Sequence, residues 1–260
     1  MLRYPLICSL AIGPLLASSS VAADLRVETR VYEADSDQPM RQSVTLFKDN
    51  VVYDFREQES QVTIYRPSVG NKPARFILID TKREVRTEIT ADRVAAVMVK
   101  LRDWAAQQKD PFLNFIADPN FQEAFNAESG ELRLVSDQLS YRLVTIPTDH
   151  PEMKLAVREF LDQYAQLQTL LDAGLPPEPR LRVNEALFRH GVMPVEVQVL
   201  SGRLDDQGSV EPDVWADYLT AWVLSKNDHQ LIDEAIDQMA TFAEVSNKEF
   251  QAGRQRLASK

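Results

Sequence analysis

The 260-residue chain carries 29 basic and 39 acidic side chains, a net charge of −10 with its three histidines neutral. Repulsion from phosphate argues against nucleic acid or an anionic membrane surface as partner. With 44% hydrophobic residues and 8 glycines, the composition excludes a disordered or fibrous chain.

The first two dozen residues read as an export signal. Arg3 supplies a positive end, Leu6 to Ala17 is an apolar run broken only by Ser9, Gly13 and Pro14, and small residues Ser18 to Ala23 precede the first acid, Asp24. An apolar run of roughly 12 residues is too short for the ~20 that cross a bilayer as a helix, so the expectation is cleavage after Ala23 or one residue earlier. The division is therefore 1–23 signal peptide and 24–260 a single domain, periplasmic or extracellular, with no membrane span in the mature chain. Cys8, the single cysteine, lies within the signal, and Ile7 before it is unsuited to lipoprotein processing. Cleavage would leave no thiol for a disulfide, a metal or a nucleophile, and loss of Arg3 would take the net charge to −11.

From Leu25 the pattern is that of strands. Leu25, Val27, Thr29 and Val31 alternate with Arg26, Glu28, Arg30 and Tyr32. Ser43 to Phe47 and Val51 to Phe55 flank Lys48-Asp49-Asn50, whose Asp and Asn suit the left-handed turn of a tight hairpin. Gln61 to Tyr65 follows, then Phe76 to Ile79 and Glu84 to Ile89 around the turn Asp80-Thr81-Lys82-Arg83. Spacings this short permit only antiparallel neighbours.

Thr90 caps a predicted helix whose Val94, Val97, Met98, Leu101, Trp104 and Ala105 form one apolar stripe. Asp110-Pro111 and Asp118-Pro119 each predict a helix start, with the acid as cap and Pro in the first turn. A second hairpin is expected from Leu132 to Val135 and Leu139 to Ile146, and a helix from Pro151 to about Leu171. The prolines at 176, 177 and 179 end that helix. Leu181 to His190 reads as a strand or one helical turn stopped by Gly191, and Val195, Val197 and Val199 as a strand. Val214 to Leu224 fits a strand or a helix, and the turn-rich Asp205 to Gly208 before it favours strand. Ser225 with Asp228 resembles a capping pair opening a last helix through Phe242. The fold class is thus α+β: a curved, half-barrel-like antiparallel sheet with helices packed on its concave face.

Candidate chemistry is sparse. His150, His190 and His229 occur in no zinc spacing; His229 and Asp233, four apart, share a helical face but make only two ligands. Asp205, Asp206, Glu211 and Asp213 cluster around Gly208 without the alternating ligands of a calcium loop. No nucleophile elbow or Ser-x-x-Lys set is present, Ser129-Gly130 and Ser201-Gly202 are turn material, and the glycines are too scattered for a phosphate loop. Acidic pairs for glycosidic chemistry are too numerous to single one out. No catalytic, cofactor-binding or metal residue is assigned, and no cofactor is expected. The aromatic group Trp104, Phe112, Phe115, Phe121 and Phe125 directly follows a strand block. It reads as core or as the lining of an apolar cavity, since both share one signature.

The stretches Val44-Thr45-Leu46-Phe47-Lys48-Asp49-Asn50-Val51-Val52-Tyr53-Asp54-Phe55 and Phe76-Ile77-Leu78-Ile79-Asp80, with the order of elements around them, resemble the periplasmic lipoprotein-carrier fold, the LolA/LolB-like half-barrel. They also resemble secreted planctomycete-type proteins of unknown function. The carriers open with a helix, where Leu25 to Tyr32 here reads as a strand. The resemblance implies a non-enzymatic protein that binds a lipid or lipid-modified polypeptide in a cavity roofed by the helices of residues 91 to 126. Two other readings stand beside it: an envelope interaction protein with a filled core, and a carboxylate-dependent hydrolase.

Overall fold

The computed structural model describes residues 24–34, 36–148, 150–204 and 211–258. The expected signal peptide, Cys8 and the acids at 205 and 206 lie outside them.

The first block is an antiparallel meander: β1 (Leu25–Glu33), β2 (Arg41–Lys48), β3 (Val51–Arg56), β4 (Gln61–Arg66), β5 (Arg75–Asp80) and β6 (Val85–Thr90). Its tightest turn is the expected one. Asp49 and Asn50 take φ of 50° and 61°, the paired left-handed conformation of the hairpin turns that follow strand twist. Alternation then divides the block between two cores. On one face the directly opposed residues Leu25, Phe47, Val52, Tyr65, Phe76 and Ile89 make an unbroken row across all six strands. On the other, Leu46, Tyr53, Ile64 and Ile77 make a second row across β2 to β5.

Thr90 ends β6 and caps α1 (Ala91–Ala106), its hydroxyl accepting from the Arg93 amide. Asp110 caps α2 (Pro111–Ala117), accepting from the amides of Phe112 and Leu113 at 2.8 and 3.3 Å. The second expected start, Asp118-Pro119, leads instead into β7 (Gln122–Asn126). There Phe121 and Phe125 pack toward β8 (Glu131–Val135) while Gln122, Glu123 and Ala124 stay exposed.

After β9 (Leu139–Pro147) comes α3 (Pro151–Leu171), with the bounds its stripe predicts. Residues 181–190 are no strand: they belong to α4 (Glu178–His190), whose first turn absorbs Pro179. Gly191 closes α4 at φ 67°, a conformation glycine adopts without a Cβ penalty. The strands β10 (Val192–Ser201) and β11 (Val214–Ala221) follow, then α5 (Lys226–Thr241), the two-residue β12 (Ala243–Glu244) and α6 (Asn247–Ala258). Ser225 and Asp228 form the expected reciprocal capping box of α5.

Among the described residues twelve strands join one open sheet in the order β12-β6-β5-β4-β3-β2-β1-β11-β10-β9-β8-β7, and with six helices they form the expected α+β architecture. Every pair is antiparallel except β12 with β6. The first strand lies mid-sheet, between β2 and β11. Its seam with β11 is held by Arg30 on Asp217 at 2.9 Å and by Tyr32 stacked on Trp215 at 4.0 Å. Residues of α1, α3 and α6 bury Val94, Met98, Phe160, Leu167 and Phe250 against one face, and α4 extends that layer over β8 to β10. Residues Ile232 and Ala235 place α5 on the opposite face, over β2 to β5. No described helix is long and apolar enough to cross a membrane.

Candidate functional site

The site lies where α3 and α4 bridge the seam. The two helices run antiparallel, as three successive contacts show. The tip of Lys154 lies over Gly191, where an added Cβ would come within 2.6 Å of Nζ. Arg158 sits over the Phe188 ring at 4.8 Å, and Asp162 accepts from Asn184 Nδ2 at 2.9 Å. Beneath them the sheet carries small and polar side chains: the row Thr220, Val27 and Thr45, and Thr29 opposite Tyr218. Those residues do not fill the space below the helices. A cavity of about 100 Å³ remains, floored by Val27, Thr29, Thr45 and Phe47 and roofed by Met153, Val157, Phe160 and Leu161. Leu187, Phe188, Met193 and Trp222 close its sides.

Its walls are apolar except for a few groups, and among the described residues the charged ones are all cationic: Lys154, Arg158 and Arg180. Arg158 is neutralised by Asp162 at 3.5 Å. Burial pushes the Asp162 carboxyl above its usual range, against the opposing pull of Asn184 and Arg158. Arg180 has one hydrogen-bond acceptor among the described residues, the Tyr218 hydroxyl at 3.5 Å. Its guanidinium is deep in the protein yet the side chain keeps accessible surface, a combination that the cavity it lines explains. Asn184 is 2% exposed, and its Oδ1 has no hydrogen-bond partner among the described residues.

A buried polar cluster adjoins the floor. Thr45 donates to Asp54 Oδ1 at 2.8 Å, and the Tyr164 hydroxyl of α3 donates to Asp54 Oδ2 while accepting from Arg56 at 2.8 Å. Burial and the adjacent Asp54 push the Tyr164 hydroxyl well above the usual tyrosine range. Arg56 also meets Asp54 at 3.4 Å and Glu59 at 3.3 Å. Each charge is answered by another, so the cluster anchors α3 to the sheet.

A wider depression of about 910 Å³ lies on the opposite face between α5 and β1 to β4. Among its charges Arg26 reaches Glu28 at 3.1 Å and Asp228 at 3.3 Å, while Glu57 and Glu234 have no ion-pair partner among the described residues.

No protein-family model matches this chain, and no curated protein does. Among solved structures it is similar to PNGF-II in two space groups, P21 and C2. The TM-scores are 0.36 and 0.37, with 9% and 8% identity over 89% and 90% of this chain. The match spans 33% of the length of each of those chains, and a likeness so slight carries no argument about function.

The residues singled out in the sequence are dispersed. His150 faces Trp222, with ring centroids 3.9 Å apart; His190 stacks on Phe125 at 4.2 Å and reaches Glu123 at 2.8 Å; His229 and Asp233 share α5. Asp213 bonds the Ser201 amide across β10 and β11. Among the described residues no three His, Cys, Asp or Glu side chains gather as a metal site. The aromatic group lines no part of the cavity. Trp104 is 48% exposed, and Phe115, Phe121 and Tyr141 pack edge to face at 5.3 and 5.9 Å in the core beside α2. Residues 91 to 126 therefore do not roof the cavity; α3 and α4 do. The stripe of α3 signals apolar burial, but nothing in the sequence marks Arg180 and Asn184, which lie at a stretch whose pattern fits a strand or a single turn.

Proposed function

We propose that this is an exported, non-enzymatic protein that binds the apolar chain of a lipid or lipid-modified polypeptide between α3–α4 and the sheet. The observation that carries the reading is the unfilled apolar space at the β1–β11 seam. Apolar, concave and rimmed by a few polar groups is the usual chemistry of a small-molecule site. The resemblance of the meander to the lipoprotein-carrier fold supports the same reading. At about 100 Å³ the space takes only three or four methylene-sized groups, each about the ~30 Å³ of a water. A longer chain therefore needs α3 and α4 to rise from the sheet or must leave through the mouth. The small volume favours a second reading, an envelope interaction protein that holds protein partners on its surface.

Native mass spectrometry of the purified chain, followed by titration with alkyl chains of increasing length, tests the first reading. One bound chain is expected, tightening about fourfold per methylene (~0.8 kcal/mol) until the space is full. A ligand-free protein that ignores every chain length would leave the filled-core reading in its place.

A further inference from the structure

Resting on the reading of the cavity as an apolar-chain site, we propose that its ligand is an amphiphile with an acidic head group, a carboxylate or a phosphate, received by Arg180 and Asn184 of α4. The charge pattern is the first support. In a chain of net charge −10, three cations and no carboxylate line this cavity among the described residues. One of the three, Arg158, is already matched by Asp162. Arg180 is not: among the described residues it has no ion-pair partner, only a long bond to the Tyr218 hydroxyl. A deep guanidinium without an anion is costly, and an anionic oxygen in the cavity removes that cost. Guanidinium also presents the donor fork that matches both carboxylate and phosphate.

The second support is Asn184. It lies one helical turn from Arg180, on the same face of α4, and both line the cavity. Its Nδ2 is committed to Asp162, which fixes the amide and leaves Oδ1 as a buried acceptor with no donor among the described residues. A phosphate monoester that keeps one O–H satisfies both residues at once, whereas a carboxylate, which only accepts, satisfies Arg180 alone. The antiparallel contacts of α3 and α4 place Lys154 at the other end of the groove, beside Gly191. The head therefore sits at the Arg180 end with the chain running toward Lys154.

Isothermal titration of the full chain with octanoate, octyl phosphate and octanol tests this. At least one of the two acids is expected to bind ten times more tightly than octanol, and the acid that shows the gap names the head. Arg180→Met is expected to abolish the gap between that acid and octanol when both are measured on the variant, and Lys154→Met to shift the gap less than threefold. If circular dichroism shows Arg180→Met unfolded, Arg180→Lys replaces it, with an expected loss of at least threefold for the acid alone. Equal binding of all three probes overturns the acidic head and leaves the apolar-chain reading standing. An acid preference that survives at Arg180 overturns the assignment of the head to α4. No binding by any probe overturns both.

Discussion

Truncating Phe160 to alanine tests the packing of α3 on the sheet and the origin of the cavity together. The side chain is 2% exposed and sits among Phe47, Tyr65 and Tyr164, with ring centroids at 5.5, 6.0 and 4.9 Å. Removing the ring forfeits ~2 kcal/mol of transfer free energy. It also opens about 100 Å³, worth ~2.4 kcal/mol at ~24 cal/mol per Å³ if nothing relaxes. The two together come to ~4.4 kcal/mol, so the expected loss is about 3–5 kcal/mol, the range seen for buried Phe→Ala. For a domain of this size that is a fall in Tm of roughly 8–16 °C at the centre of the range. Urea unfolding with an unchanged m-value measures it. The same change roughly doubles the existing cavity of about 100 Å³, so Phe160→Ala is expected to bind benzene or a similar small apolar probe more tightly than the parent. A loss below ~1.5 kcal/mol with no gain in probe binding would show that Phe160 neither anchors α3 nor bounds the cavity.

Tyr164→Phe removes the hydroxyl joining buried Asp54 and Arg56. The expected cost is about 2–3 kcal/mol by urea unfolding, at least twice that of Tyr65→Phe, whose hydroxyl meets only the half-buried Glu159 at 2.7 Å; equal costs would refute the cluster as an anchor. Glu131 bridges Arg133 at 2.6 Å and Arg142 at 2.9 Å; burial pushes its carboxyl up, but the two arginines outweigh that and hold it below the usual carboxylate range. Its contribution is therefore present above the unfolded-state pKa and lost as pH falls through the lower folded value. Glu131→Gln is expected to cost about 1 kcal/mol at pH 7, a gap that thermal melts should show closing toward pH 3; a gap independent of pH would count against the pairing.

The parts of the fold legible in the sequence are those whose cause is local. Asp49-Asn50 must turn the chain whatever surrounds them, Thr90 and Ser225 announce their helices through their own hydroxyls, and α3 carries its stripe from Pro151 to Leu171. Misreadings fall where one local signal serves two structures. Asp118-Pro119 resembles a cap with a first-turn proline, but Phe121 and Phe125 gain more by joining β8 as a strand. The prolines at 176 to 179 read as a break, whereas Pro179 occupies the one helical turn where its missing N–H costs nothing. The cavity was illegible for a different reason. Its floor comes from β1, β2 and β11 and its roof from α3 and α4, and no short window contains that meeting.

The mid-sheet position of β1 bears on how the molecule assembles. Arg30 and Asp217, partners across the seam, are 187 residues apart in the chain. A polypeptide emerging amino end first can zip β1 to β6 by nearest-neighbour hairpins, but one flank of β1 then stays unpaired until β11 arrives. Closing so long a loop pays its entropy before any contact rewards it, so the seam is expected to form late. During that interval the bare flank of β1 is a strand template for any neighbouring copy, which makes the intermediate, rather than the finished protein, the species that needs a chaperone.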